Sequence, residues 1–261
     1  MRNKFNILVL SDLNETTSKT IKSGVSFAKI VDADINFFYV KKPTEVVKKE
    51  SQLSAMRTIN KAYFSIDKKI KKIIDPISKT YGTSINHTFA IGNIKNEIEK
   101  YLDENKPDII VLGKKKNRIV NFMSDNITPF ILKNFKGPIV IADDKNYLEP
   151  NTEMSLGILH NLNPDSHFTK NIFAATQKPL KFFRIFKNSS TLKKGPYLKE
   201  EKIVEYVFEK SDNVIKNISN YLSKSNVNLV FVEREENSNN LLRPSIKEVI
   251  KNLDCSLILT P

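Results

Sequence analysis

The chain alternates short apolar runs with longer amphipathic stretches. "FNILVL" (5–10) is continuously apolar, the pattern of a strand covered on both faces. The polar turn "SDLNETTSK" follows, rich in helix N-cap residues. Ile21, Val25, Phe27, Ala28 and Ile30 then recur at helical spacing. "DINFFYV" (34–40) reads as a second strand. Residues 44–80 read as a long helix, with Tyr63, Phe64, Ile66, Ile70, Ile73 and Ile74 on the apolar side. "SINHTFAIG" (84–92) predicts a third strand, "NIKNEIEKYLDEN" (93–105) a helix and "PDIIVLG" (107–113) a fourth strand. "NITPFILKNF" (126–135) predicts a helix that tolerates Pro129 in its first turn, and "GPIVIA" (137–142) a fifth strand. This alternation implies an α/β fold with a doubly wound, mostly parallel sheet and helices on both faces. Ligands of such sheets bind beyond the carboxyl ends of the strands.

Residues 144–154 are polar, hold Pro150, and read as a linker between a first domain (1–143) and a second (155–261). The pattern then restarts in reduced form. Strands are expected at 155–162, 180–186, 201–210, 227–235 and 255–260, with helices in "PDSHFTKNIFAATQ", "NVIKNISNYLSKSN" and "RPSIKEVIKNL". The long second helix has no counterpart, since "KNSSTLKKGPYLKE" reads as a loop. The ends of the halves run in parallel: "PDIIVLGKKKN…NITPFILKNFKGPIVIAD" beside "VNLVFVEREEN…RPSIKEVIKNLDCSLILTP". A repeat of about 110–140 residues is too long for a solenoid and means a duplicated domain.

Composition narrows the classes. The 261 residues carry 42 basic and 29 acidic side chains, a net charge of +13. Residues 1–144 hold 25 − 16 = +9 and residues 145–261 hold 17 − 13 = +4, so the first half has the stronger field for anions. Lysines greatly outnumber arginines, which counts against a dedicated nucleic-acid reader. Cys255 is alone, so neither an intrachain disulfide nor a cysteine metal site forms, and the histidines (His87, His160, His167) lack metal-ligand spacing. No apolar stretch approaches the roughly 18 residues of a membrane span. The expectation is a soluble, cytoplasmic chain with no membrane partner.

With these elements in place, the sequence resembles the universal stress protein family in its tandem form. The telling stretches are "ILVLSDLNETTSKTIKSGVSFAKIVDADINFFYV", "AIGNIKNEIEKYLDENKPDIIVLG" and "ILKNFKGPIVIA", in that order and spacing. The resemblance implies two five-stranded domains and, in ATP-binding members, three site features. An aspartate follows strand one and a valine ends strand two. After strand four comes a signature of glycine, two residues, glycine, nine residues, glycine, then serine or threonine. Asp12, Val40 and Gly113 match the first items. The second glycine falls on Lys116, and the last pair on Asp125 and Asn126, one residue short. Lysine at 116 disfavours the positive φ and close backbone approach of a phosphate cradle. Lys114 to Lys116 would instead meet phosphates as point charges, or form a solvated loop. In the second half the aspartate position falls near Asn161 and Asn163, "VFVEREENSNN" has no glycine, and Glu233, Glu235 and Glu236 would repel phosphate.

The other candidates read blandly. Asp12 suits either a ribose or adenine contact or an N-cap or turn residue before the first helix. His160 reads as structural, Cys255 as inert packing, and "DKKIKKII" as a solvated helix face. No nucleophile–base pair or carboxylate dyad has identifying spacing, so no enzyme is expected. Two main readings stand: a nucleotide-free interaction scaffold with protein partners, a further copy of the chain included, and a regulator that binds ATP or another adenine nucleotide in the first domain. The +9 first half adds a weaker third, a nonspecific polyanion binder. The resemblance implies that the last strands of the halves, "GPIVIA" and "CSLILT", pair, and their apolar edges would otherwise be open.

Overall fold

The computed structural model describes residues 4–43, 52–114, 127–159, 167–177, 179–186, 202–234 and 244–261, with backbone alone at 52–57 and 167. Lys115, Lys116, Asp125, Asn126, His160, Asn161, Asn163, Glu235, Glu236 and the expected loop at 187–200 lie outside the described residues.

The first half runs β1 (Phe5–Leu10), α1 (Thr17–Val31), β2 (Ala33–Lys41), α2 (Gln52–Tyr81), β3 (Ile85–Ile91), α3 (Ile94–Asn105), β4 (Ile109–Gly113), α4 (Ile127–Asn134) and β5 (Ile139–Ala142). The second runs β6 (Leu156–Leu159), α5 (His167–Ala174), β7 (Leu180–Phe186), β8 (Ile203–Glu209), α6 (Val214–Lys224), β9 (Leu229–Glu233), α7 (Ile246–Asn252) and β10 (Ser256–Thr260). The strands form one sheet in the order β3-β2-β1-β4-β5-β10-β9-β6-β7-β8. Each half repeats the same order outward from its last strand. Neighbours within each half are parallel, whereas β5 and β10 meet antiparallel with Ile141 opposite Leu257 and Val140 opposite Ile258. The expected pairing of the two last strands is therefore present, and it fuses two five-stranded sheets into one of ten.

Side chains alternate faces along each strand. Ile7, Val9, Ile109, Val111 and Ile258 pack on one face with buried residues of α1, α2 and α5. Leu8, Leu10, Ile110, Leu112, Leu257 and Leu259 pack on the other with buried residues of α3, α4, α6 and α7. Cys255 is buried there, as its expected packing role requires. Helix α1 comes close to the sheet because of two glycines. A Cβ on Gly24 would lie 2.8 Å from Val9 Cγ2, and one on Gly113 would collide with Thr20 Oγ1.

Helix α2 departs from the expected facing at two residues, most strongly at Phe64. Ile66, Ile70 and Ile74 are buried and Ile73 is half-buried, but Phe64 is 80% exposed and Tyr63 43% exposed. Phe64 sits three residues after Lys61 and four before Lys68, which puts it on the solvent face with both. Tyr63 keeps a ring contact with Phe89 of the edge strand, centroids 5.2 Å apart. His87 of that strand fastens α2 as well, with Nε2 2.8 Å from Asp67 Oδ1.

The segment expected as a linker packs along α1. Lys19 Nζ donates to the Asp144 carbonyl (2.7 Å), the Leu148 amide to Ser23 Oγ (3.1 Å), and Lys29 Nζ to Asn151 Oδ1 (2.9 Å). Leu148 is buried. Lys22 Nζ reaches both Glu149 oxygens at 3.0 and 3.1 Å, and the Tyr81 hydroxyl also donates to Glu149. Polar composition made this strap resemble a free spacer. Several of its polar groups instead bond to α1, and others to Tyr81, Asp254 and Ser256.

Candidate functional site

The carboxyl ends of β1, β2 and β4 lie side by side, because β2 and β4 flank β1. The β1 loop is tied by its own side chains. Asn14 Oδ1 accepts from the Thr16 amide (2.7 Å) and the Thr16 hydroxyl (2.6 Å), and Asn14 Nδ2 donates to Asp12 Oδ1. The N-cap of α1 is Thr16, so Asp12 is a turn residue and not the cap. Asp12 is exposed and lines a pocket of about 130 Å³ with Leu13, Tyr39, Lys41, Ala62, Ser65, Ile66 and Lys69.

Val40 is half-buried, and its side chain packs on the opposite face of the sheet, among the cluster of Phe38 and Ile98. Its neighbours Tyr39 and Lys41 face the Asp12 pocket instead. Alternation along β2 makes this legible in retrospect: if one of three consecutive residues faces away, the other two face in. The pocket residues missed from sequence, Tyr39, Lys41, Ser65 and Lys69, carried that signal only in part. Ser65 and Lys69 come from α2, where the helix crosses the mouth of the sheet.

Gly113 has a local reason to be glycine, the closeness of Thr20 on α1. Lys114 departs from both readings of its loop. It is 8% exposed, its Nζ donates to the Leu253 carbonyl, and the same nitrogen lies 3.7 Å from Asp143 Oδ1. Its backbone amide donates to the Ala142 carbonyl at 2.7 Å. It is therefore neither a solvated residue nor a side chain poised over the pocket. It enters the seam where the two halves meet. Asp143 is buried, and its Oδ2 accepts from the amides of Lys145 (3.1 Å) and Asn146 (2.9 Å), which starts the strap.

Arg234 mirrors Lys114. Each is the first residue after the fourth strand of its half. The Arg234 amide donates to the Thr260 carbonyl (2.6 Å), as that of Lys114 does to Ala142. Arg234 Nη1 donates to the Phe135 carbonyl (3.1 Å) and Nη2 to that of Gly137. Phe135 follows the last residue of α4, and Leu253 follows that of α7. Each half thus sends a cation across the seam to the carboxyl end of the other half's last helix. Exposed carbonyls and the negative end of the helix dipole favour positive charge there.

Titrating groups are perturbed where the strap meets α1. Burial alone would lower the Lys22 pKa, but hydrogen bonding with Glu149 and Tyr81 outweighs it and raises the value above the ordinary lysine range. Burial would raise that of Glu149, but hydrogen bonds from Tyr147, Tyr81 and Lys22 hold it below its ordinary value.

The universal stress protein family model matches residues 5–142. No curated protein matches the chain. Among solved structures, a universal stress protein from Archaeoglobus fulgidus is 13% identical with a TM-score of 0.66, covering 98% of this chain and 97% of that one. A functionally unknown protein from Pseudomonas aeruginosa PAO1 is 11% identical with a TM-score of 0.53, covering 98% and 92%. A universal stress protein in complex with cAMP is 14% identical with a TM-score of 0.41 and spans one half, covering 53% of this chain and 96% of that one.

Proposed function

The chain belongs to the universal stress protein family, and from there we propose that it is a non-catalytic stress-response scaffold whose nucleotide site has been given over to holding its two halves together as an internal pseudo-dimer. The observation that carries this reading is the burial of Lys114 between Asp143 and the Leu253 carbonyl. A phosphate cradle needs the backbone after Gly113 to remain available to ligand. Here the next residue commits its side chain to the seam, and its amide is already taken by the Ala142 carbonyl of β5. A rigid ten-stranded body with two fixed outer faces suits protein interaction. Mass analysis of nucleotide carried through native purification tests the proposal. Protein free of nucleotide is the expected result, and a stoichiometric adenine nucleotide would overturn it.

The Asp12 pocket favours a second reading. Asp12 and Tyr39 with Lys41 and Lys69 combine acceptors with two cations near a β-strand end. An adenine nucleotide held there would meet lysine side chains. Its volume of about 130 Å³ is below the roughly 300 Å³ of the smaller ligand pockets, so only part of a nucleotide would be enclosed. Binding that is lost in a Lys41/Lys69→Ala variant and kept in Lys114→Ala would favour this reading over the scaffold.

A further inference from the structure

We propose that the solvent face of α2 is a docking surface for an anionic phospholipid bilayer. Lys61, Lys68, Lys72 and Lys79 are exposed and spaced seven, four and seven residues apart. That spacing keeps them on one stripe of the helix, opposite buried Ile66, Ile70, Ile74 and Ile77, and makes the stripe roughly 27 Å long. Phe64 stands beside the stripe at 80% exposure, between Lys61 and Lys68. A ring so exposed contributes little to the core. Residues 60–81 hold six lysines and two aspartates, 6 − 2 = +4. Asp67 is already engaged by His87 and Lys71, each at 2.8 Å, which leaves exposed Asp75 as the acidic group offsetting the stripe.

Charge complementarity selects the occupant. A second copy would set one lysine stripe against another, so self-association through this face is disfavoured. Single-stranded nucleic acid is bound by grooves that combine positive charge with several stacking rings. This surface is one convex helix with one strongly exposed ring. A polypeptide would find no groove to fix its register. A fluid anionic surface needs none. Lysines meet lipid phosphates as point charges, and an aromatic ring between them enters the interface at headgroup depth. Lipid contact here leaves the seam untouched, so the inference stands apart from the scaffold reading, while Ser65 and Lys69 of the same helix also line the Asp12 pocket.

The test is co-sedimentation of the full chain with phosphatidylcholine vesicles, with and without phosphatidylserine, at low and physiological salt. Binding should require phosphatidylserine and weaken with salt. At roughly fivefold per lysine, Lys61/Lys68/Lys72/Lys79→Gln should weaken it on the order of several hundredfold. Phe64→Ser, at a site that contributes little to the core, should weaken it roughly tenfold. A control variant removes the same charge from the opposite face of the sheet, Lys100/Lys106/Lys216/Lys224→Gln, and should bind nearly as wild type. No binding to phosphatidylserine vesicles overturns the proposal. So does equal loss in the control variant, or capture of single-stranded polyuridylate with the vesicles left unbound.

Discussion

Lys114 carries the scaffold proposal, and the energetics of its contacts are testable directly. It and Asp143 are both buried, so removing one partner strands the other charge. Lys114→Met should destabilise the protein by about 3 kcal/mol in denaturant unfolding. Adding Asp143→Asn should recover part of that loss, and two fully additive losses would count against the pair. Gly113→Ala should cost about 1–3 kcal/mol, because the new Cβ meets Thr20 Oγ1. Thr20→Ala should restore most of it, since the Thr20 Cβ would be 3.6 Å away. Failure of that rescue would return Gly113 to a purely ligand-binding explanation. None of this was legible in "VLGKKKNRIV". The sequence places three lysines after a strand, but the partner that sorts Lys114 from its neighbours, the Leu253 carbonyl, lies 139 residues away. Phe64 differs, because its spacing from Lys61 and Lys68 already places it on the lysine face of the helix despite its apolar side chain.

At the next level, the strands and helices follow from the apolar pattern because each is settled by local alternation or helical spacing. The strap does not follow. Its residues are polar, and only the opposing face of α1 turns them into a packed element. The Lys22–Glu149 contact sets its pH response. Glu149 is held below its ordinary value, so its contribution is complete above about 4.5, the unfolded value, and is lost as pH falls through the lower folded value. Lys22 is raised, so its contribution is complete below about 10.5 and is lost as pH climbs through the folded value. The melting temperatures of wild type and Glu149→Gln should therefore differ at neutral pH and converge in acid. A difference that grows below pH 4.5 would show that the sign is wrong.

The molecule as a whole is held by the β5–β10 pair and the reciprocal Lys114 and Arg234 contacts. The family resemblance made the strand pairing legible, and the edge argument supports it, because two short apolar strands at the ends of their sheets leave unpaired backbone that must be covered. The reciprocal cations were not legible, since lysine and arginine at corresponding positions look like two unrelated surface charges. Residues 1–143 alone would leave β5 uncovered. That fragment should self-associate in sedimentation velocity, whereas the full chain should not do so through this edge. A monomeric, folded fragment would show that the edge is protected by other means.

Calorimetric titration of ATP into the full chain, at low and at physiological salt, asks whether the loop after Gly113 has left nucleotide binding for the seam. With Lys114 committed to Asp143 and Leu253, any binding should rest on exposed lysine charge, which salt screens within about 8–10 Å. The predicted result is weak heat at low salt that disappears at physiological salt, equally in wild type and in Lys114→Ala. Micromolar binding that persists at physiological salt would contradict it and restore a working ATP cradle after β4.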